Sequence, residues 1–195
     1  MTTKHATQAD ILTRHCEAIS IVAPYKPHGI CPACTAVHHL NAKGLIVRHG
    51  WRAKNVRHGR SGGFHVGGHG SLAPIGTEEG NKAAHRYAAS HRVTADHMAS
   101  QPVHTLEDAT IAYLDLIHDQ EMTSWGYRRR GDKPVRYSGL DELKQSRSWS
   151  AVRGWFSVEG LTSKAQSMDA YRAATIEGHR EHADLLDSLV IRNPA

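Results

Sequence analysis

The apolar positions of this chain change period twice. Over residues 7–22 they recur at three- and four-residue steps through Ile11, Leu12, His15, Ile19 and Val22, the spacing of one helix face. Thr7 and Asp10 occupy the positions of a capping box, with Asp in place of Glu. Pro24 and Pro27 end the element. Cys16 lies within it and reads as a small buried hydrophobe rather than a ligand. Helical spacing returns after residue 78, where Ala84, Tyr87, Ala88, His91, Ala95 and Met98 form one stripe closed by Pro102. Thr105-Leu-Glu-Asp108 then caps a helix with Leu106, Ala109, Tyr113, Leu116 and Ile117 on its inner face. A loop over 123–137 and a short helix from Ser138 to about Arg147 come next. An aromatic cluster of Trp149, Trp155 and Phe156 with Val152 follows. A last helix spans 163–191, with Ile176, His179, Ala183, Leu186 and Val190 inward.

Between the helical regions, residues 29–76 are glycine-dense and without long apolar runs. Short strands fit at 36–40, 45–48, 51–57 and 64–66, with hairpin turns at Asn41–Gly44 and Arg60–Gly63. So few apolar side chains cannot build a core of useful size, and a module this small needs a staple. The expected class is α+β and mostly helical. A zinc-stapled β-ribbon (29–77) is flanked by an N-terminal helix (1–28) and a helical bundle (78–195) that carries the loop 123–137.

Composition narrows this further. With 39% hydrophobic and 22% charged residues, the chain of 195 is neither plainly disordered nor membrane-spanning. No apolar run approaches the ~18 residues of a transmembrane helix, and the N-terminus shows no apolar leader segment. The net charge of +5 is unevenly placed. Residues 18–77 hold seven basic groups (Lys26, Lys43, Arg48, Arg52, Lys54, Arg57 and Arg60) and no Asp or Glu. A second basic block includes Arg128, Arg129 and Arg130, and an acidic stretch separates the two. Such a balance favours acidic partners, nucleic acid first.

Histidine is in surplus, at 16 residues, and Cys31-Pro-Ala-Cys34 has the spacing at which two thiolates reach one tetrahedral ion. A redox role needs a strand-to-helix setting, and a glycine-rich hairpin follows instead. The remaining ligands are sought among nearby histidines. One pairing is His65 with His69, at H-x3-H spacing; the other is His49 with His69. No local carboxylate competes, so four N/S ligands with no open position would make a structural zinc site. The other histidines have plainer readings. His85, His91, His97 and His104 are read as surface or partly buried, and His179 and His182 as a solvated face ahead of a helical metal pair.

The run from Cys31-Pro-x-Cys34 through Val47-Arg-His-Gly50-Trp51 to Phe64-His-x-Gly-x-His69 resembles small zinc-ribbon modules in proteins of bacteriophages and mobile elements. The likeness covers about residues 29–76, and His69 stands where the family pattern has its last cysteine. It implies one structural zinc and a phage-type protein in the cytoplasm of a bacterial host, and it implies no activity.

The expected function is backbone-dominated nucleic-acid binding, DNA ahead of RNA. The contacts would be Lys43, Arg48, Arg52, Lys54, Arg57 and Arg60 on the ribbon and Arg128, Arg129 and Arg130 in the loop, with Trp51 and Phe64 stacking on bases. An alternative is a phage-type protein that binds and inhibits an acidic host protein through its ribbon and aromatic cluster. A third is a metal-dependent nuclease or hydrolase using Asp115 and Asp119 at i, i+4. No nucleotide-binding signature is present, no catalytic residue is assigned, and the balance is against an enzyme.

Overall fold

The computed structural model describes residues 7–22, 26–47, 49–52, 62–64, 72–125, 136–146 and 148–195. The elements run α1 (Gln8–Val22), β1 (His28–Ile30), β2 (Val37–His39), β3 (Gly50–Arg52), β4 (Gly62–Phe64), α2 (Glu78–Ser100), α3 (Leu106–Trp125), α4 (Leu140–Lys144), α5 (Trp149–Val152) and α6 (Val158–Arg192). Arg153–Phe156 forms a 3-10 turn between α5 and α6. The described chain is mostly helical, with two small antiparallel sheets, β1–β2 and β3–β4. None of its helices is long and apolar enough to cross a membrane.

Local chemistry accounts for the helix starts. The Thr7 backbone N–H donates to Asp10 Oδ2 at 2.8 Å, and the Asp10 N–H returns to Thr7 Oγ1 at 3.3 Å. Thr105 and Asp108 repeat the reciprocal pair at 2.8 and 3.1 Å. These boxes satisfy donors that a helix start otherwise leaves unpaired, and the carboxylates sit at the favourable end of the helix dipole. Thr77 and Ser157 cap α2 and α6 through their hydroxyls. The second of these caps starts α6 five residues ahead of the expected 163.

The chain divides into two compact units. One is Met1–Ala99 with Thr175–Ala195, the other Ser100–Ala174, and α6 contributes to both. In the first, Ala9 of α1, Ile30 of β1, Ala84 and Ala88 of α2, and Ala183, Leu186 and Leu189 of α6 form one buried cluster. Small residues on α2 let the helices approach closely, and the leucines fill the space between them. The inner face of α1 is Ala9, Leu12 and Cys16, whereas Ile11, assigned inward by spacing, is 57% exposed. In the second unit Ile117, Leu143 and Val152 form the core, with Trp149, Trp155 and Phe156 packed around them. Leu106 and Leu116, also assigned inward, are exposed.

The glycine-rich region departs from its expected strands. A first strand, His28–Ile30, went unread; it pairs with Val37–His39 in the register His28↔His39, Gly29↔His38, Ile30↔Val37. The expected strand at 45–48 is a single bridge, Leu40↔Ile46. Of the expected strands at 51–57 and 64–66, the described residues show Gly50–Arg52 paired with Gly62–Phe64. The Asn41–Gly44 turn forms as read. The Asn41 N–H donates to the Leu45 carbonyl, Asn41 Oδ1 accepts from the Lys43 and Leu45 amides, and Gly44 adopts φ +73°.

Candidate metal centre

The β1–β2 hairpin turns through Cys31-Pro-Ala-Cys34-Thr35-Ala36. The Cys31 N–H donates to the Ala36 carbonyl and the Thr35 N–H to the Cys31 carbonyl, both at 2.9 Å. Closing so tight a knuckle takes a left-handed residue, and Thr35 supplies it at φ +59° although it is β-branched. Its hydroxyl donates to the Cys34 carbonyl at 2.7 Å, so the residue that bears the backbone strain also fixes the turn. Cys31, Ala33 and Ile46 are buried together, with Leu40, Leu72 and Tyr87 packed around them. The knuckle therefore rests on α2 as well as on its own hairpin.

This fold brings two thiols and one imidazole together. The ligand atoms of Cys31, Cys34 and His49 lie within 4.8 Å of one another. His49 Nε2 is 3.2 Å from Cys34 Sγ. On the other side of the ring, His49 Nδ1 is 2.9 Å from the Val47 carbonyl, so that nitrogen carries the proton and Nε2 is left as a lone-pair donor facing the sulfurs. A hydrogen bond from the Cys34 thiol draws Cys31 down to about 6 against the effect of burial. The same bond, aided by burial, pushes Cys34 up. Cys31 is thus the first of the pair to carry charge. Both cysteines are free thiols. Two thiols and an outward-held imidazole form a Cys2His donor set that fits a tetrahedral thiophilic cation.

The other expected site residues divide by position. His65 and His69 lie outside the described residues, as do Arg48, Lys54, Arg57, Arg60 and Arg128–Arg130. Trp51 and Phe64 fall on the paired strands β3 and β4, with Trp51 opposite Gly63 and Gly50 opposite Phe64, and Arg52 ends β3. Lys43 is exposed in the Asn41–Gly44 turn. Asp115 is exposed and lies 3.7 Å from Arg136 Nη2. Trp155 and Phe156 pack on Tyr113 at ring separations of 5.3 and 5.7 Å, so they serve a core.

Two features escaped sequence reasoning. The first is the role of His38, one of the nearby histidines but in neither expected pairing, whose Nε2 is 3.7 Å from Cys34 Sγ and whose ring stacks on His49 with centroids 3.5 Å apart. Its signal was the alternation of a strand: His38 faces the thiols, while His39 turns to the other face and meets His28 at 4.2 Å. The second is a set of three histidines between α2 and α6. His91 Nδ1 is 2.7 Å from His179 Nδ1, and the His91 ring meets His182 edge-on at 4.7 Å. His182 Nε2 in turn lies 3.0 Å from the Ala33 carbonyl, in the middle of the knuckle. His179 and His182 are therefore half-buried contacts, and the solvated face expected for them is corrected. Burial, followed by the neighbouring imidazoles, lowers His91 to about 4 and lowers His179 as well.

Comparison with protein-family models, with curated proteins and with solved structures returns no match to this chain. The site therefore rests on its own geometry.

Proposed function

We propose that this protein binds nucleic acid through a zinc-stapled basic ribbon of the kind found in phage and mobile-element proteins. What carries the reading is one coincidence. The Cys31, Cys34 and His49 donors sit in the same stretch, residues 18–77, that has seven basic groups and no carboxylate. Zinc is the natural occupant because two thiolates and an imidazole suit a soft, tetrahedral, redox-inert ion. A thiolate-bound zinc fits a reducing compartment such as the cytoplasm. The ion would hold the knuckle, and the cations around it would neutralise phosphates in a largely sequence-independent way.

Binding to unrelated DNA and RNA, followed by fluorescence anisotropy over a salt series, tests this. With about six to ten phosphate contacts, affinity should drop about 10³- to 10⁵-fold between 50 and 200 mM salt. No binding to either polymer at low salt would end the reading. It would leave the acidic host protein as the better partner for the same charges.

A further inference from the structure

We infer that His38 is the fourth ligand of the metal centre, which makes it a closed Cys2His2 site lying wholly within residues 31–49. The inference rests on the zinc reading of Cys31, Cys34 and His49 and adds the residue that completes it. In a tetrahedral zinc site with bonds of about 2.3 Å to sulfur and 2.0–2.1 Å to nitrogen, a sulfur and a nitrogen ligand stand about 3.5 Å apart. The separations from Cys34 Sγ, 3.2 Å to His49 Nε2 and 3.7 Å to His38 Nε2, bracket that value. Two nitrogen ligands of one such ion stand about 3.3 Å apart. The His38 and His49 rings lie face to face with centroids 3.5 Å apart and planes 23° from parallel, closer than two rings on one tetrahedral ion, so binding would splay the rings while their Nε2 atoms stay beside the ion. Each presents its Nε2 to the same sulfur, so one ion beside Cys34 would meet both nitrogens. His38 is not within the group of the other three, whose ligand atoms lie within 4.8 Å of one another, and the ion would draw its ring inward.

The placement follows from the hairpin. β2 pairs with β1 in a fixed register, Gly29↔His38, and a one-residue slip would turn His39 to the thiols instead. Gly29 itself is fixed by packing, because a Cβ there would come within 2.5 Å of Pro74 Cβ. A centre closed by His38 has no open coordination position. It would be structural rather than hydrolytic, and His65 and His69 would not be required for it.

Cobalt(II) substitution of the full-length protein, read by its d–d and thiolate charge-transfer bands, tests the assignment. Wild type should give a tetrahedral two-thiolate spectrum, and Cys34→Ala should lose it. His38→Ala should open the coordination sphere, weakening the d–d bands and lowering zinc affinity at least about tenfold. His38→Cys should bind again with stronger charge transfer from a third thiolate, a gain that a merely structural role would not produce. The double variant His65→Ala/His69→Ala should match wild type. A His38→Ala protein with wild-type spectrum and affinity, or loss of the spectrum in the double variant alone, would overturn the assignment and leave the metal site standing. A wild-type protein that binds neither cobalt nor zinc would overturn both.

Discussion

Acidification should weaken the first unit through the histidines that join α2 to α6. His91 is held to about 4 by burial and by His182 and His179, against an ordinary 6.5. The folded state therefore prefers the neutral ring. The stability this contributes is fully present above pH 6.5 and is lost as pH falls from there through about 4. At 1.36 kcal/mol per pH unit, the loss between neutral pH and pH 5 has a ceiling of about 2 kcal/mol. His91 is only half-buried and lies beside the ion pairs Arg92–Asp184, Arg92–Asp187 and Arg180–Asp96. Solvent and neighbouring charges screen it, so the expected loss is about 1 kcal/mol. Urea unfolding of wild type and His91→Gln at both pH values isolates the contribution, because glutamine keeps a polar group but cannot titrate. The variant should lose about 1 kcal/mol less than wild type on acidification. Parallel pH dependences for the two proteins would refute the reasoning.

Other outcomes follow from the same geometry. Gly80→Ala should destabilise by about 3 kcal/mol or more in thermal unfolding, because its Cβ would sit 1.9 Å from the Pro74 carbonyl oxygen, which is backbone and cannot swing aside. Leu186→Ala removes a fully buried side chain from the α1–α2–α6 core and should cost about 2–5 kcal/mol; a loss under 1 kcal/mol would mean that this core does not close as described. Zinc occupancy, measured by elemental analysis after dialysis, should be lost in Cys31→Ala, because the site then keeps a single thiolate; unchanged occupancy in that variant would contradict Cys31 as a ligand.

Much of this protein was legible because its signals are local. The Thr7–Asp10 and Thr105–Asp108 capping boxes and the Asn41–Gly44 turn each close over three or four residues, so their hydrogen bonds are implied by residue type and spacing alone. Cys31 and Cys34 are legible for the same reason, since one tight turn spans them. His49 was among the candidates, but only the fold of the hairpin brings its Nε2 to 3.2 Å from Cys34 Sγ, fifteen positions away. Helical spacing gave α1 its extent, but the loop expected from 123 cut α3 short of its end at Trp125, and the spacing misplaced Ile11, Leu106 and Leu116. A stripe defines a face only to within about one residue's rotation, and the neighbouring element selects the residues that are covered.

The amino-acid pattern by itself determined the mostly helical class, the starts of α1 and α3, the thiol pair and the separation of basic from acidic blocks. Tertiary structure alone decided which histidines gather. The register of a three-residue strand turns His38 toward the thiols and His39 away. The packing of α2 on α6 brings together His91 and His179, 88 positions apart, and places His182 against the knuckle from 149 positions away. An imidazole has no local partner that announces its role. Its chemistry is set by what burial and long-range pairing place around it, and those are properties of the assembled core.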